Sequence, residues 1–245
     1  YDIKHENDIY VCYTPKAEVK TKYVVIATHY PFINIPGMYF AKMYQSSSYV
    51  IGIETQQELF EGMYINIQSP IYSFRTAKDN GKRILLLGGA DHKTGENVSY
   101  ENSYGILEQK ANEWYPNSKI KYRWSTRDCI TLDKIPYIGE FSEILANVFV
   151  GTGFNKWGMT SSNVAGRIIT DKIEKKENEY EEIFKATRVN PIVNIDEVKN
   201  MIAQTTKSLV IDRLKNFDEQ VEDIEKDSAK IIEKSGEKIG VYKDK

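Results

Sequence analysis

The residues with the clearest chemical potential lie in "NVFVGTGFNKWGMTSSNVAG", Asn147 to Gly166. An apolar run ends in glycines and feeds a helix-like run. That arrangement presents unpaired backbone N–H groups at the positive end of a helix, which suits a phosphate, a carboxylate or the pyrimidine edge of a reduced flavin. The same text also suits a glycine turn that only packs closely. Gly151, Gly153 and Gly158 are spaced G-x-G-x-x-x-x-G, so the dinucleotide fingerprint G-x-G-x-x-G is not met, and no acidic residue follows at the end of a second strand.

Two further stretches carry chemistry. "KYVVIATHYP" is an apolar strand that ends in Ala27 and Thr28 before a loop, as at the carboxyl edge of an open α/β sheet. In "RWSTRDCITLDKIPYIGE", Arg127 lies close to Trp124 and beside Asp128. A guanidinium so placed either clamps a carboxylate through two hydrogen bonds or forms a surface ion pair. His5, His29 and His92 lack zinc-site spacing, and no metal site is expected. Cys12 and Cys129 are far apart and read as two reduced thiols in a cytoplasmic protein. There is no Walker loop, G-x-S-x-G elbow or H-E-x-x-H.

Elements must position these groups. The strands expected early in the chain are "DIYVCYT" and "KYVVIAT", the second buried on both faces. "SSYVIGIET", "GMYINIQ", "IYSFRTAK" and "RILLLGGAD" read as an antiparallel layer, with Asn80-Gly81 as a hairpin turn. Residues 101 to 115 read as a one-sided helix, and "KIKYRWSTRDC" returns as a strand. "LDKIPYIGEF" reads as a turn-rich loop, and "NVFVGT" as a buried strand before a helix capped by Thr160, Ser161 or Ser162. Residues 194 to 217 open with a capping-box pattern, Asn194 to Glu197, and read as a helix; the tail reads as a hairpin around Ser235-Gly236. The fold class is α+β, or α/β overall.

Bulk properties bound the function. The 245 residues carry a formal net charge of −2, which gives no basic footprint for nucleic acid. No apolar run approaches the ~20 residues that span a bilayer.

In this order, "VVIATHYP", "TRDCITLDKIPYIGE" and "NVFVGTGFNKWGMTSSNVAGRIITDKI" resemble the C-terminal two-thirds of FAD-dependent oxidoreductases of the D-amino-acid oxidase/glycine oxidase type. The wording is closest to a bacterial subgroup whose longer members carry a C-terminal Rieske domain. The resemblance implies a partial FAD-binding Rossmann-like domain in residues 1–38 and 126–190, an antiparallel substrate domain in 39–125, and a helical linker and hairpin in 191–245 leading toward a further domain. It implies that this chain lacks the N-terminal G-x-G-x-x-G unit and the Rieske domain with its [2Fe-2S] cluster. Ala27, Thr28, Gly153, Gly158, Met159 and Thr160 would touch FAD, and Arg127 the substrate carboxylate, with Tyr49, Arg75 and His92 as further pocket residues. The implied reaction is hydride transfer from an amine or amino acid to FAD, with the chain alone inactive and an apolar face left open that invites dimerisation. The alternative is a non-catalytic module that binds a small molecule or a protein.

Overall fold

The computed structural model describes residues 2–188 except 8, 34 and 97, together with 224, 228–234 and 237–244. The chain divides into two compact units, Tyr1–Pro191 and Ile192–Lys245.

The first unit opens with a meander of β1 (Asp2–Glu6), β2 (Ile9–Tyr13) and β3 (Glu18–Thr21), all antiparallel. The polar text between the two expected strands thus forms a third one. Strand β4 (Val24–Ile26) follows, and a 3-10 turn at Tyr39–Ala41 leads into β5 (Met43–Glu54). Strands β6 (Met63–Ile65), β7 (Ser73–Asp79) and β8 (Lys82–Lys93) come next, then α1 (Tyr100–Trp114) and β9 (Lys119–Thr131). The unit closes with β10 (Tyr137–Glu140), β11 (Val148–Thr152), α2 (Gly158–Ile173) and the single turn α3 (Glu181–Phe184).

Among the described residues these strands build two main sheets. The larger has the order β6-β7-β8-β5-β9 and is antiparallel throughout. Its β7–β8 turn is Asn80-Gly81, both at positive φ (48° and 81°), as a two-residue hairpin matched to strand twist requires. One face carries Tyr49, Ile51, Ile53, Leu85 and Leu87, packed on Leu107 and Ala111 of α1. Those helix residues lie four apart and so share one stripe.

The smaller sheet has the order β10-β11-β4, with β4 and β11 parallel. "PYIGE" is therefore a strand, where a loop was expected: it pairs with β11 and buries Tyr137 and Ile138 on opposite faces. Val24, Ile26, Val148 and Val150 pack toward Tyr10 of the meander, while Phe149 and Ile138 pack toward Ala165, Ile168 and Ile169 of α2. The expectation that β4 is buried on both faces fails at Val25, which is 47% exposed. Val25 lies on the α2 side, and it stays open because α2 packs over β10 and β11.

Arg188 ties the end of this unit back to the loop before β10. Its guanidinium donates to both carboxylate oxygens of Asp133 at 2.8 and 2.9 Å, and to the carbonyls of Ile135 and Pro136. It also lies 4.0 Å from the Tyr137 ring centroid. Burial then Asp133 raise the Tyr137 phenol to about 12.

The second unit contains the hairpin of β12 (Ser228–Lys234) and β13 (Glu237–Lys243), as the tail text indicates. The helix expected over 194–217 lies outside the described residues.

Replacing Arg188 with Ala leaves the Asp133 carboxylate buried without that partner. Chemical denaturation should show a loss of about 3–5 kcal/mol, the range for breaking one side of a buried ion pair. A loss below ~1 kcal/mol, the range for exposed pairs, would mean that this tie is peripheral.

Candidate cofactor and substrate site

The site is built where β4 and β11 end. Parallel strands leave a crevice beyond their carboxyl ends, where ligands bind in open α/β sheets. A cleft of about 280 Å³ lies there, lined among others by Val25, Ala27, Gly151, Gly153, Ser162 and Ala165. The lining is mostly apolar and suits a flat ring more than a charged group. Thr28 lies at the same strand exit, with its hydroxyl donating to the Tyr30 carbonyl at 3.0 Å.

Gly153 makes the turn out of β11. It sits at φ +69°, and a Cβ there would lie 2.3 Å from Thr131 Cγ2, so only glycine fits. The next residues are held by Asn155. Its side-chain oxygen accepts the Thr131 N–H at 2.9 Å, its amide donates to the Gly153 carbonyl at 2.8 Å, and its own N–H donates to the Cys129 carbonyl at 3.2 Å. The Cys129 thiol below is pushed up to about 11, by burial first and then by Asp128.

Helix α2 begins at Gly158 with no side-chain cap, contrary to the expectation for Thr160, Ser161 or Ser162. The Ser162 hydroxyl instead donates back to the Met159 carbonyl at 3.2 Å. Among the described residues, the first helical N–H with a partner is that of Ser161, bound to the Trp157 carbonyl at 2.9 Å. Gly158, Met159 and Thr160 precede it and are exposed, Met159 at 87%. Among the described residues, nothing beyond the adjoining chain lies within 4 Å of a Cβ built on Gly158.

Strand alternation decides what this helix end faces. His92 points to the α1 side of the large sheet, where its Nε2 meets the buried Tyr49 hydroxyl at 2.8 Å and the two rings stack. Its neighbour Asp91 lies in the bulge where Ala90 and Asp91 oppose Ser48, an open-side position of β5. Lys156 reaches Asp91 there, at 2.5 Å, so the loop before α2 leans over the sheet face that α1 leaves uncovered. Trp124, Val50, Gly88 and Ser73 form one row of that face, and Tyr122, Gly52, Leu86 and Arg75 the next. Gly52 leaves room for Tyr122, whose carbons lie 3.1–3.2 Å from the position a Cβ would take.

The same alternation separates the four pocket candidates. Arg127 pairs with Ser47 and donates to the Tyr100 hydroxyl of α1 at 3.3 Å, so it shares the α1 side with Tyr49 and His92. Arg75 lies on the uncovered side, at the far end of its row. The structure thus brings Tyr49 and His92 into contact, keeps Arg127 on their side of the sheet and leaves Arg75 across it. Ala27 and Gly153 gather at the cleft, with Gly158, Met159 and Thr160 at the helix start. Sequence reasoning passed over Asn155, Lys156 and Asp91; Asn155 and Lys156 stand at positive φ (50° and 71°), which the text "FNKW" signals only through its asparagine.

A family model described as FAD dependent oxidoreductase matches residues 2–172. The chain belongs to the DAO family of FAD-dependent oxidoreductases. It is 37% identical over 243 residues to YhfW of Bacillus subtilis (strain 168), a protein named for a Rieske 2Fe-2S iron-sulfur centre, covering 99% of this chain and 48% of that one. Its fold is similar to that of glycine oxidase from Geobacillus kaustophilus, at TM-score 0.62 and 21% identity over 77% of this chain and 51% of that one. It is also similar to that of L-proline dehydrogenase from P. horikoshii, at TM-score 0.60 and 20% identity over 76% and 53% of the two chains. The chain thus spans about half the length of the relatives it matches. No helix among the described residues is long and apolar enough to cross a membrane.

Asn155→Ala leaves the Thr131 N–H without its acceptor, which costs about 1–3 kcal/mol for a buried donor. Hydrogen exchange should show the amides of residues 153–157 opening faster while those of α1 are unchanged. Unchanged exchange in 153–157 would show that Asn155 does not hold the loop.

Proposed function

We propose that this chain supplies the flavin-ring end and the substrate-covering sheet of an FAD-dependent oxidoreductase that oxidises an amine or an amino acid by hydride transfer to FAD. The observation that carries the reading is the uncapped start of α2, held beside the uncovered sheet face by the Lys156–Asp91 pair. Family membership supports FAD as the redox group, and the flavin supplies the acceptor chemistry when bound.

The residues present fit the ring end of that cofactor. The backbone N–H groups of Gly158, Met159 and Thr160 would hold the pyrimidine edge, and the helix dipole there favours negative charge. The open space at Gly158 lets a planar group approach the backbone. Ala27, Gly151 and Gly153, with their small side chains, would let the ring lie against the ends of β4 and β11, and Thr28 would lie near it. The sequence contains no G-x-G-x-x-G, so the ADP half of FAD has no glycine-rich cradle in this chain. The chain alone would therefore bind FAD weakly or not at all and be inactive.

The uncovered sheet face would then lie over the substrate. Trp124 and Tyr122 would exclude water there, and an ordered apolar wall orients the reacting carbon for transfer. The relatives similar in fold include a glycine oxidase and a proline dehydrogenase, which supports amines and amino acids as the substrate class. The Rieske name of the B. subtilis relative supports a reading in which an iron–sulfur domain outside this chain takes electrons onward.

The test is an absorbance spectrum of the full-length gene product with FAD, native and Gly158→Val, with this chain measured in parallel. The native protein should show flavin bands that bleach anaerobically with an amine or amino acid. Gly158→Val places methyl groups in open space, so the fold should stay intact while FAD affinity falls about tenfold or more, equivalent to ~1.4 kcal/mol. A colourless native protein would overturn the redox reading. Unchanged affinity in the variant would overturn the placement of the ring.

A further inference from the structure

On the α1 side of the large sheet lies a second cavity, of about 390 Å³, lined by Ser47, Tyr100, Ser125, Thr126 and Arg127. Ser47, Ser125 and Arg127 come from adjoining positions of β5 and β9: Ser47 pairs with Arg127, and Ser125 with Tyr49. Tyr100 is the first residue of α1, and Thr126 pairs with Ser48, so its side chain alternates to the opposite face. Tyr49 is 1% exposed and is braced by the His92, Tyr100 and Tyr104 rings. Ser47 is 6% exposed, with its hydroxyl 2.8 Å from that of Thr94.

The charge balance of this cavity is one-sided. Arg127 is its cation, and among the described residues its side-chain partner is the neutral Tyr100 hydroxyl at 3.3 Å. The nearby carboxylates are engaged elsewhere: Glu101 and Glu108 of α1 both pair with Arg123. Asp128, next in the chain, alternates to the opposite face. A guanidinium with free donors, the Ser47 and Ser125 hydroxyls and a phenol, with no carboxylate among them, is a donor set for a planar or tetrahedral oxyanion.

We propose that this cavity is an oxyanion-binding site, separate from the cofactor cleft and on the other side of the sheet from Trp124 and Tyr122. Arg127 takes the anion's charge through its fork, and Tyr100 and Ser125 donate to the remaining oxygens. The ligand is a small carboxylate or phosphate, chemistries that share this donor requirement. The site stands apart from the redox reading, and either can fail without the other.

The experiment titrates this chain with sodium acetate and, separately, with inorganic phosphate at constant ionic strength, reading the arginine Nε–H signals by NMR. Saturation by acetate supports a carboxylate ligand, and saturation by phosphate supports a phosphoryl ligand. Arg127→Gln should weaken the saturating anion about tenfold or more, and Tyr100→Phe about threefold, as loss of a charged and of a neutral donor predicts. Arg75→Gln, on the other face, should leave it unchanged. If neither anion saturates the native chain, or if Arg127→Gln binds as tightly, the proposal fails. If Arg127→Gln does not fold, the Tyr100→Phe titration decides, and unchanged affinity there overturns the proposal.

Discussion

The long antiparallel ladder between β5 and β9 is the constraint on which the other features depend. It runs unshifted from the Met43–Thr131 pair to the Gly52–Tyr122 pair. Because successive side chains in a strand alternate faces, this register assigns every residue of both strands to one side or the other. Odd positions such as Tyr49, Ile51 and Arg127 go to α1. Even positions such as Val50, Trp124 and Asp128 go to the open side. A slip of β9 by one residue against β5 would turn Trp124 and Tyr122 toward α1 and carry Arg123 and Arg127 to the open side. The helix packing and the composition of the open face are therefore set by one geometrical fact.

The ladder also reaches the cofactor cleft. Its far end, Met43 and Thr131, meets the turn out of β11: the Thr152 hydroxyl lies 3.8 Å from the Met43 sulfur, and Thr131 fills the space a side chain on residue 153 would need. Asn155 then bonds Thr131 and Lys156 bonds Asp91. The loop before α2 is fixed to the sheet rather than to the helix that follows it, so the helix start and the open face are held together.

Much of this was legible in the text, for identifiable reasons. Asn80-Gly81 carries its own turn chemistry, and Leu107 and Ala111 mark the buried stripe of α1. "NVFVGTG" reads as a strand leaving through glycines because Gly153 cannot be anything else. Three features were not legible. β10 lacks a strand-like run, since its pairing with β11 comes from tertiary contact rather than from "IPYIGE" itself. Val25 looks like core in sequence, and only the limited reach of α2 leaves it open. The placement of Arg127 depends on parity along β9, and one position changes the face entirely. Residue type gave the chemistry of these candidates, and the three-dimensional register gave their neighbours.

The two longer helices of the first unit make the remaining point. At α1, Ser99 accepts the Asn102 N–H at 3.1 Å, an ordinary N-cap. At α2 the capping position is Trp157, which offers no acceptor, although Ser161 and Ser162 stand a few residues on. A side-chain cap contributes about 1 kcal/mol. α2 forgoes that stabilisation at the end where Gly153, Asn155 and Lys156 hold the loop in place, and its first residues stay exposed. The helix is stable without a cap because Ala165, Ile168 and Ile169 bury its other side against Phe149 and Ile138. Packing carries the helix, and its start keeps exposed N–H donors of the kind that suit an anionic group.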